Sequence, residues 1–401
     1  MNSDKPGSGK VLSGIRVLDF GRFIAAPLCG AILADMGADV IRVEKREGGE
    51  DRWVQPVAAG GEGATFLQCN RNKRSLTLDT SSDRGQALMR QLVRGADVVL
   101  ANMPDAAMAA NGLDYESLRE VKPDIILGRA TAFGSGGPYA ERVGFDGIGQ
   151  AMSGGTFRSG PPETPYRSAV PYVDFGTGLA MATGVMMALF HRNATGLGQE
   201  VEASLLPVAL TMANGMLIEQ EILKLDRGRI GNRGAAVAPC DIFRLGDKWI
   251  LVQTSGNPMF RRWCRMIGKP EWTSDPRFDS DDLRSQQSDF LNGAMQEWFD
   301  GKDYDQAMAE LDAARIPAGP VYTPQEAVDD ENVRALRQLV PVDYPGIARP
   351  APISATPFRM SLTPGEIHSR APVLGEHNAA ILGELGIGPD EIANLAADGI
   401  I

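Results

Sequence analysis

The sequence predicts an α/β protein: a large, Rossmann-like, doubly wound parallel sheet with a smaller α+β domain. Two observations carry this prediction. Short apolar runs alternate with helical patterns over roughly the first 130 residues, and a hairpin pattern comes only after residue 240.

In chain order, Ile15 to Gly21 (IRVLDFG) reads as a buried strand, Pro27 to Gly37 as the helix after it, and Asp39 to Glu44 (DVIRVE) as the next strand. This β-α-β unit has the length of a right-handed parallel crossover. The pattern recurs with a helix at Arg84 to Arg94, a strand at Asp97 to Leu100, a helix at Tyr115 to Val121 and a strand at Ile125 to Ala130. Glycine and proline then thicken from Gly134 to Pro165, marking loops of the kind found at the carboxyl ends of strands, where ligands of open α/β sheets bind. A long helix is expected from about Thr177 to Arg192, a strand at Glu200 to Ala203, an apolar helix at Leu206 to Leu223, and a hairpin at Asp241 to Thr254 turning at Gly246-Asp247. The expected division is 1–205 for the N-terminal part of the large domain, 206–228 for a linker helix, 229–325 for the small α+β domain, and 326–401 for a segment returning to the large domain.

Hydrophobic residues at 43% and charged residues at 23% are ordinary for a soluble globular chain, so disorder is not expected. MNSDKPGSGK reads as a frayed N-terminus without the apolar region of a secretory signal. Leu179 to Phe190 is too short and interrupted for a membrane span. The four cysteines are scattered, as expected of reduced thiols in a cytoplasmic protein. A net charge of -11 argues against a nucleic-acid surface, and three histidines leave little for a histidine relay or metal site, which turns attention to carboxylates.

The turn GRFIAAP has one glycine where a dinucleotide fold needs G-x-G-x-x-G, and GSGK lacks the remaining spacing of a P-loop. Two basic clusters, Arg42-Lys45-Arg46 and Arg71-Lys73-Arg74, read either as solvated patches or as partners for the phosphates of a ligand such as coenzyme A.

The sharpest local feature is SAVPYVDFGTGLAMATG. Asp174 closes an apolar run just before a glycine-rich helix start, and serves there either as a helix cap or as a rigidly held carboxylate whose neighbouring N–H groups stabilise developing negative charge. Gly176, Gly178, Ala180, Ala182 and Gly184 permit close approach, by a ligand or by a neighbouring helix, and Met181, Met186 and Met187 read as core fillers.

LSGIRVLDF, ILADMGADVIRVEK, NRNKRSLTLD, GFDGIGQAMSG, VPYVDFGTG, TGLGQEVEASL, IPAGPVYT and APVLGEHN follow one another in this order across nearly the whole chain. This ordered set resembles the class III coenzyme A transferases, the group of formyl-CoA transferase and carnitine CoA-transferase that also includes α-methylacyl-CoA racemase. The resemblance implies transfer of coenzyme A from an acyl-CoA to a carboxylic acid, with Asp174 as nucleophile and mixed-anhydride and aspartyl-CoA intermediates. It implies coenzyme A as a substrate and no permanently bound cofactor or metal. It also implies an interlocked homodimer, while the net charge and the lack of a long apolar stretch lead to no expected nucleic-acid or membrane partner. Coenzyme A contacts carry over to Ala25, Lys45, Leu78, Asp79, Thr80, Ser81, Asn102, Met103, Pro104, Arg142, Phe145 and Asp146, and the basic clusters add Arg46 and Arg74.

The chain departs from the pattern in places. Ile24 stands where formyl-CoA transferase has a glutamine, Ala110 matches its CoA-binding arginine, and Gly234-Ala235-Ala236 resembles its glycine flap loosely, so formyl-CoA:oxalate specificity is not expected. Phe145 replaces the racemase histidine and cannot carry a proton, which disfavours α-proton exchange by that pair. Asp146 is open to a structural, a CoA-orienting or a loop-capping role. The alternatives carried are an acyl-CoA racemase or isomerase on the same fold, or a non-catalytic acyl-CoA binding protein. Gly134 to Pro165 and Arg227 to Ala238 contain no polar code that identifies donor or acceptor.

Overall fold

The computed structural model describes residues 9–401. The fraying expected at the N-terminus therefore lies, for residues 1–8, outside the described residues.

Six strands form one parallel sheet in the order β3-β2-β1-β4-β5-β6: β1 (Arg16–Asp19), β2 (Asp39–Glu44), β3 (Lys73–Thr77), β4 (Val98–Ala101), β5 (Ile126–Thr131) and β6 (Glu200–Ser204). This is the doubly wound order, with β1 pairing both β2 and β4, so the chain reverses direction across the sheet between β1 and β4. The central strands read as near-continuous apolar runs because both faces are covered. On one face Val17, Val40, Val98 and Ile126 pack with the helices Ala25–Asp35 and Tyr172–Thr195; on the other Leu18, Ile41, Leu76 and Val99 pack with Asp83–Arg94 and the C-terminal helices Asn378–Glu384 and Pro389–Ala397.

The Tyr172–Thr195 helix is long and apolar enough by composition to cross a membrane, but 56% of its most apolar window is buried inside the protein, where it acts as a core helix. Its small residues serve helix packing: a Cβ on Gly178 would lie 2.8 Å from the carbonyl oxygen of Ala25, and one on Gly184 2.6 Å from a Val201 methyl. Met181 is fully buried. Met187, expected in the core, is 67% exposed because it falls on the opposite side of the helix.

Beneath the strand ends lies a set of buried, paired charges. Lys73 Nζ meets Asp19 at 2.6 Å, Arg71 is bidentate to Asp35, and Arg42 bonds Asp51. Arg52 bonds Glu44, with its guanidinium 4.2 Å from the Phe66 ring centroid. Four cations face four carboxylates, so the group is neutral and each charge is hydrogen-bonded, which is the condition for burying it.

The larger compact unit runs through Ser153 and adds 168–218 and 331–401; the smaller comprises 154–167 and 219–330. The sequence reading placed 154–167 with the larger domain. In the structure Arg229 reaches the carbonyls of Phe157, Pro161 and Pro162, and Gly231 N–H bonds Gly160, tying that loop to the smaller unit. The smaller unit has an antiparallel sheet of β7 (Cys240–Leu245), β8 (Lys248–Gln253) and β9 (Ala318–Pro320) over a core around Trp263, Phe260 and Phe299.

Candidate active site

The carboxyl ends of β1 to β5 open onto a cavity of about 720 Å³ within the larger unit. This is the crevice that a doubly wound sheet creates where its strand order reverses. Its walls bring together Ala25, Lys45, Arg46, Leu78, Asp79, Thr80, Ser81, Asn102, Met103, Pro104, Arg142, Phe145 and Asp174. The sequence reading named all of these.

Two residues named with them are elsewhere. Arg74 is held by Asp39 and by Glu384, each at 2.6 Å, on the outer side of β3. Its cluster-mates Arg71 and Lys73 are buried in the charge network, so the phosphate reading of this cluster is corrected: its cations support the strands. Asp146, the first residue of the helix Asp146–Met152, is buried and outside the cavity wall.

Asp174 itself is neither a cap nor a strand end. The helix begins at Tyr172, five residues earlier than expected, with Pro171 at the N-cap making no side-chain cap bond, and Asp174 sits in the first turn. Asp146 does the capping from its own helix. Its Oδ1 accepts the N–H of Val173 at 2.8 Å and that of Asp174 at 3.1 Å, while its Oδ2 accepts from Gln150 Nε2. Gln150 Oε1 in turn accepts the N–H of Ser168, so the segment entering the helix is held at both ends. Tyr172 N–H bonds the carbonyl of Val170, and Phe175 N–H that of Pro171. The first-turn N–H groups are thereby occupied, and the expectation that they stabilise charge developing at Asp174 is corrected.

Asp174 is 9% exposed, and among the described residues no group donates a hydrogen bond to its carboxylate. Burial, and then the nearby negative charge of Asp146, push its pKa from 3.8 up to about 7. Such a carboxylate is more basic than an ordinary aspartate, and it must lose its proton before it reacts.

The loop after β1 is fixed from below. Asp19 Oδ1 accepts Gly21 N–H, Arg42 donates to the Gly21 carbonyl, and a Cβ at Gly21 would fall 2.6 Å from that of Ala26. Asn102 clamps Arg22 at both backbone groups, at 2.9 and 2.8 Å. Phe23 follows with φ of 64°, a conformation a bulky residue rarely adopts, and its ring meets Phe145 edge-on at 5.4 Å. Ile24 also lines the cavity. On the rim Glu50 bridges Lys45 at 2.8 Å and Arg22 at 3.0 Å, and Arg142 lies 4.0 Å from the Tyr139 ring centroid. Asp79 Oδ1 accepts from the N–H and hydroxyl of Ser81, shaping the turn after β3. Sequence reasoning missed Arg22, Phe23 and Glu50; the first two lie in GRFIAAP, a turn searched only for glycines.

The profile of the family described as CoA-transferase family III matches residues 12–378. The chain is 32% identical to the succinyl-CoA--D-citramalate CoA-transferase of Chloroflexus aurantiacus over 411 aligned residues, covering 100% of both chains. It is 33% identical to the succinate--glutarate CoA-transferase of Agrobacterium fabrum, covering 96% of this chain and 98% of the relative. Among solved structures, a CAIB/BAIF family protein from Brucella suis superposes with a TM-score of 0.83 at 32% identity, covering 94% of this chain and 100% of that one.

Proposed function

This chain belongs to the family III CoA-transferases, enzymes that move coenzyme A from an acyl-CoA to a carboxylic acid, and on that premise we propose that Asp174 is the nucleophile of the transfer. The observation that carries the reading is a buried carboxylate, free of hydrogen-bond donors among the described residues, on the wall of the strand-end cavity.

A carboxylate oxygen of Asp174 attacks the donor's thioester carbon and expels CoA thiolate, leaving an aspartyl-acyl anhydride. The thiolate attacks the aspartyl carbonyl, releasing the donor acid and forming aspartyl-CoA. The acceptor carboxylate attacks that thioester to give a second anhydride and free thiolate, which takes the acceptor's acyl carbon and returns Asp174 as a carboxylate. Protons balance throughout, because each acid enters and leaves ionised. Asp146 and Gln150 hold the nucleophile's helix in place, and the strand-end loops hold the coenzyme: Lys45 and Arg46 supply charge, and the turns at Leu78 to Ser81 and Asn102 to Pro104 supply polar groups. The anhydride oxygen must draw its stabilisation from groups other than the first-turn N–H donors.

The substrate class we propose is a short dicarboxylic acid with succinyl-CoA as donor. The names of the two relatives support it. A homodimer is part of the proposal, supported by exposed apolar side chains at Met187 and Phe190 on one long helix and Met212 and Ile222 on the next. A cytoplasmic location is retained with it, supported by four free, buried cysteines.

Incubation with succinyl-CoA followed by borohydride or hydroxylamine trapping tests the chemistry. A mass change on the peptide containing Asp174, absent in Asp174→Ala, is the expected result. Transfer at the wild-type rate by Asp174→Ala overturns it, and α-deuterium uptake without an adduct replaces it with racemase chemistry.

A further inference from the structure

Glu50 opens the 3₁₀ turn Glu50–Trp53, whose next two residues are buried and pinned: Asp51 bonds Arg42 and Arg52 bonds Glu44. The backbone of Glu50 is thus held by its neighbours while its side chain stays 58% exposed at the cavity mouth. Its two oxygens are divided between two cations, Oε1 to Lys45 Nζ at 2.8 Å and Oε2 to Arg22 Nη1 at 3.0 Å. Both cations line the cavity and Glu50 does not. The hydrogen bond from Lys45 leads the causes that hold the Glu50 pKa down to about 2, so the bridge is fully charged at neutral pH.

A single carboxylate bridging an arginine and a lysine occupies the position in which a phosphate group would meet the same pair. We propose that Glu50 is an internal competitor for a phosphate of coenzyme A: it holds Arg22 and Lys45 together in the empty enzyme and is displaced when the coenzyme binds. A phosphate with up to two charges and three free oxygens satisfies both cations better than one carboxylate. The bridge it breaks is solvent-exposed, where ion pairs are weak, so displacement is easy but lowers affinity. Glu50 thus sets how tightly the coenzyme is held without touching the reacting atoms. This rests on the reading of this rim as part of the coenzyme A site.

The test is calorimetric titration of coenzyme A into the full-length wild type and into the Glu50→Gln, Lys45→Ala, Arg22→Ala and Glu297→Gln variants, at low salt and at about 0.5 M salt. Glu50→Gln is expected to tighten Kd by roughly two- to tenfold at low salt, with the gain shrinking at high salt as the charges are screened. Glu297→Gln removes the same charge from an exposed position in the smaller unit and is expected to leave Kd as it is. If Glu50→Gln leaves Kd unchanged or weakens it, or if Glu297→Gln tightens it equally, the inference is overturned. If Lys45→Ala and Arg22→Ala bind coenzyme A as well as wild type, it is the reading of the rim that fails.

Discussion

Replacing Asp174 with asparagine is expected to stabilise the protein while abolishing transfer, and the gain should depend on pH in a defined way. In the unfolded chain the aspartate titrates near 3.8, and in the folded protein burial and Asp146 raise it to about 7. Between these values the folded state keeps a proton that the unfolded state has lost, so wild-type stability falls as pH rises through this window and levels off above it. At 1.36 kcal/mol per pH unit the full cost is at most ~4 kcal/mol, reached near pH 8, and roughly a third of it is already present at pH 5. Asparagine keeps the size of the side chain and carries no charge, so Asp174→Asn should exceed wild type by a margin growing ~2–3 kcal/mol from pH 5 to pH 8. Urea unfolding of both proteins at the two pH values and one protein concentration measures this directly. A margin that stays constant with pH, or an asparagine variant less stable than wild type at pH 8, would refute the assignment of a raised pKa to this carboxylate.

Because the nucleophile must be ionised, kcat/KM should rise with pH through about 7 and then level off; Asp146→Asn, which removes the charge that helps hold the value up, should move the inflection to lower pH, as rate profiles of the two proteins will show. Arg74→Ala should cost stability by loosening Asp39 and Glu384 yet leave the coenzyme A Kd unchanged, whereas Arg46→Ala should weaken binding; thermal melts and calorimetry separate the two effects. Gly178→Ala should destabilise by ~1–3 kcal/mol, since the new methyl meets the Ala25 carbonyl oxygen at 2.8 Å and neither helix backbone can give way easily, and a lowered melting temperature measures it.

The strands β1, β2, β4 and β5 were legible because each is a short, largely apolar run bounded by turns, and burial on both faces is what such a run reports; β3 (KRSLT) opens on two cations and carries no such run, and β6 (EVEAS) is half-exposed. Asp174 was legible as a residue but not in its setting. The proline and tyrosine before it read as extended chain, and the carboxylate that caps its helix lies 28 residues earlier in another helix. The two basic clusters looked alike in sequence. Lys73 and Arg74 find Asp19, Asp39 and Glu384 at separations of 54, 35 and 310 residues, and no local pattern encodes such partners. Lys45 remained at the cavity, and its bridge to Glu50 spans only five residues, a spacing that carries no signal outside a helix.

The seams that close the larger unit join positions far apart along the chain. Thr356 bonds Asp35, the carbonyl of Pro372 accepts from Arg52, and Asn378 bonds Thr77, at separations of 321, 320 and 301 residues. At ribosomal speeds of roughly 5–20 residues per second, Pro372 is made on the order of 15–60 s after Arg52. Throughout that interval Arg52 lacks its Pro372 partner, and the sheet face under Asp83–Arg94 lacks the helices Asn378–Glu384 and Pro389–Ala397, which leaves a long window in which chaperones have a substrate to guard.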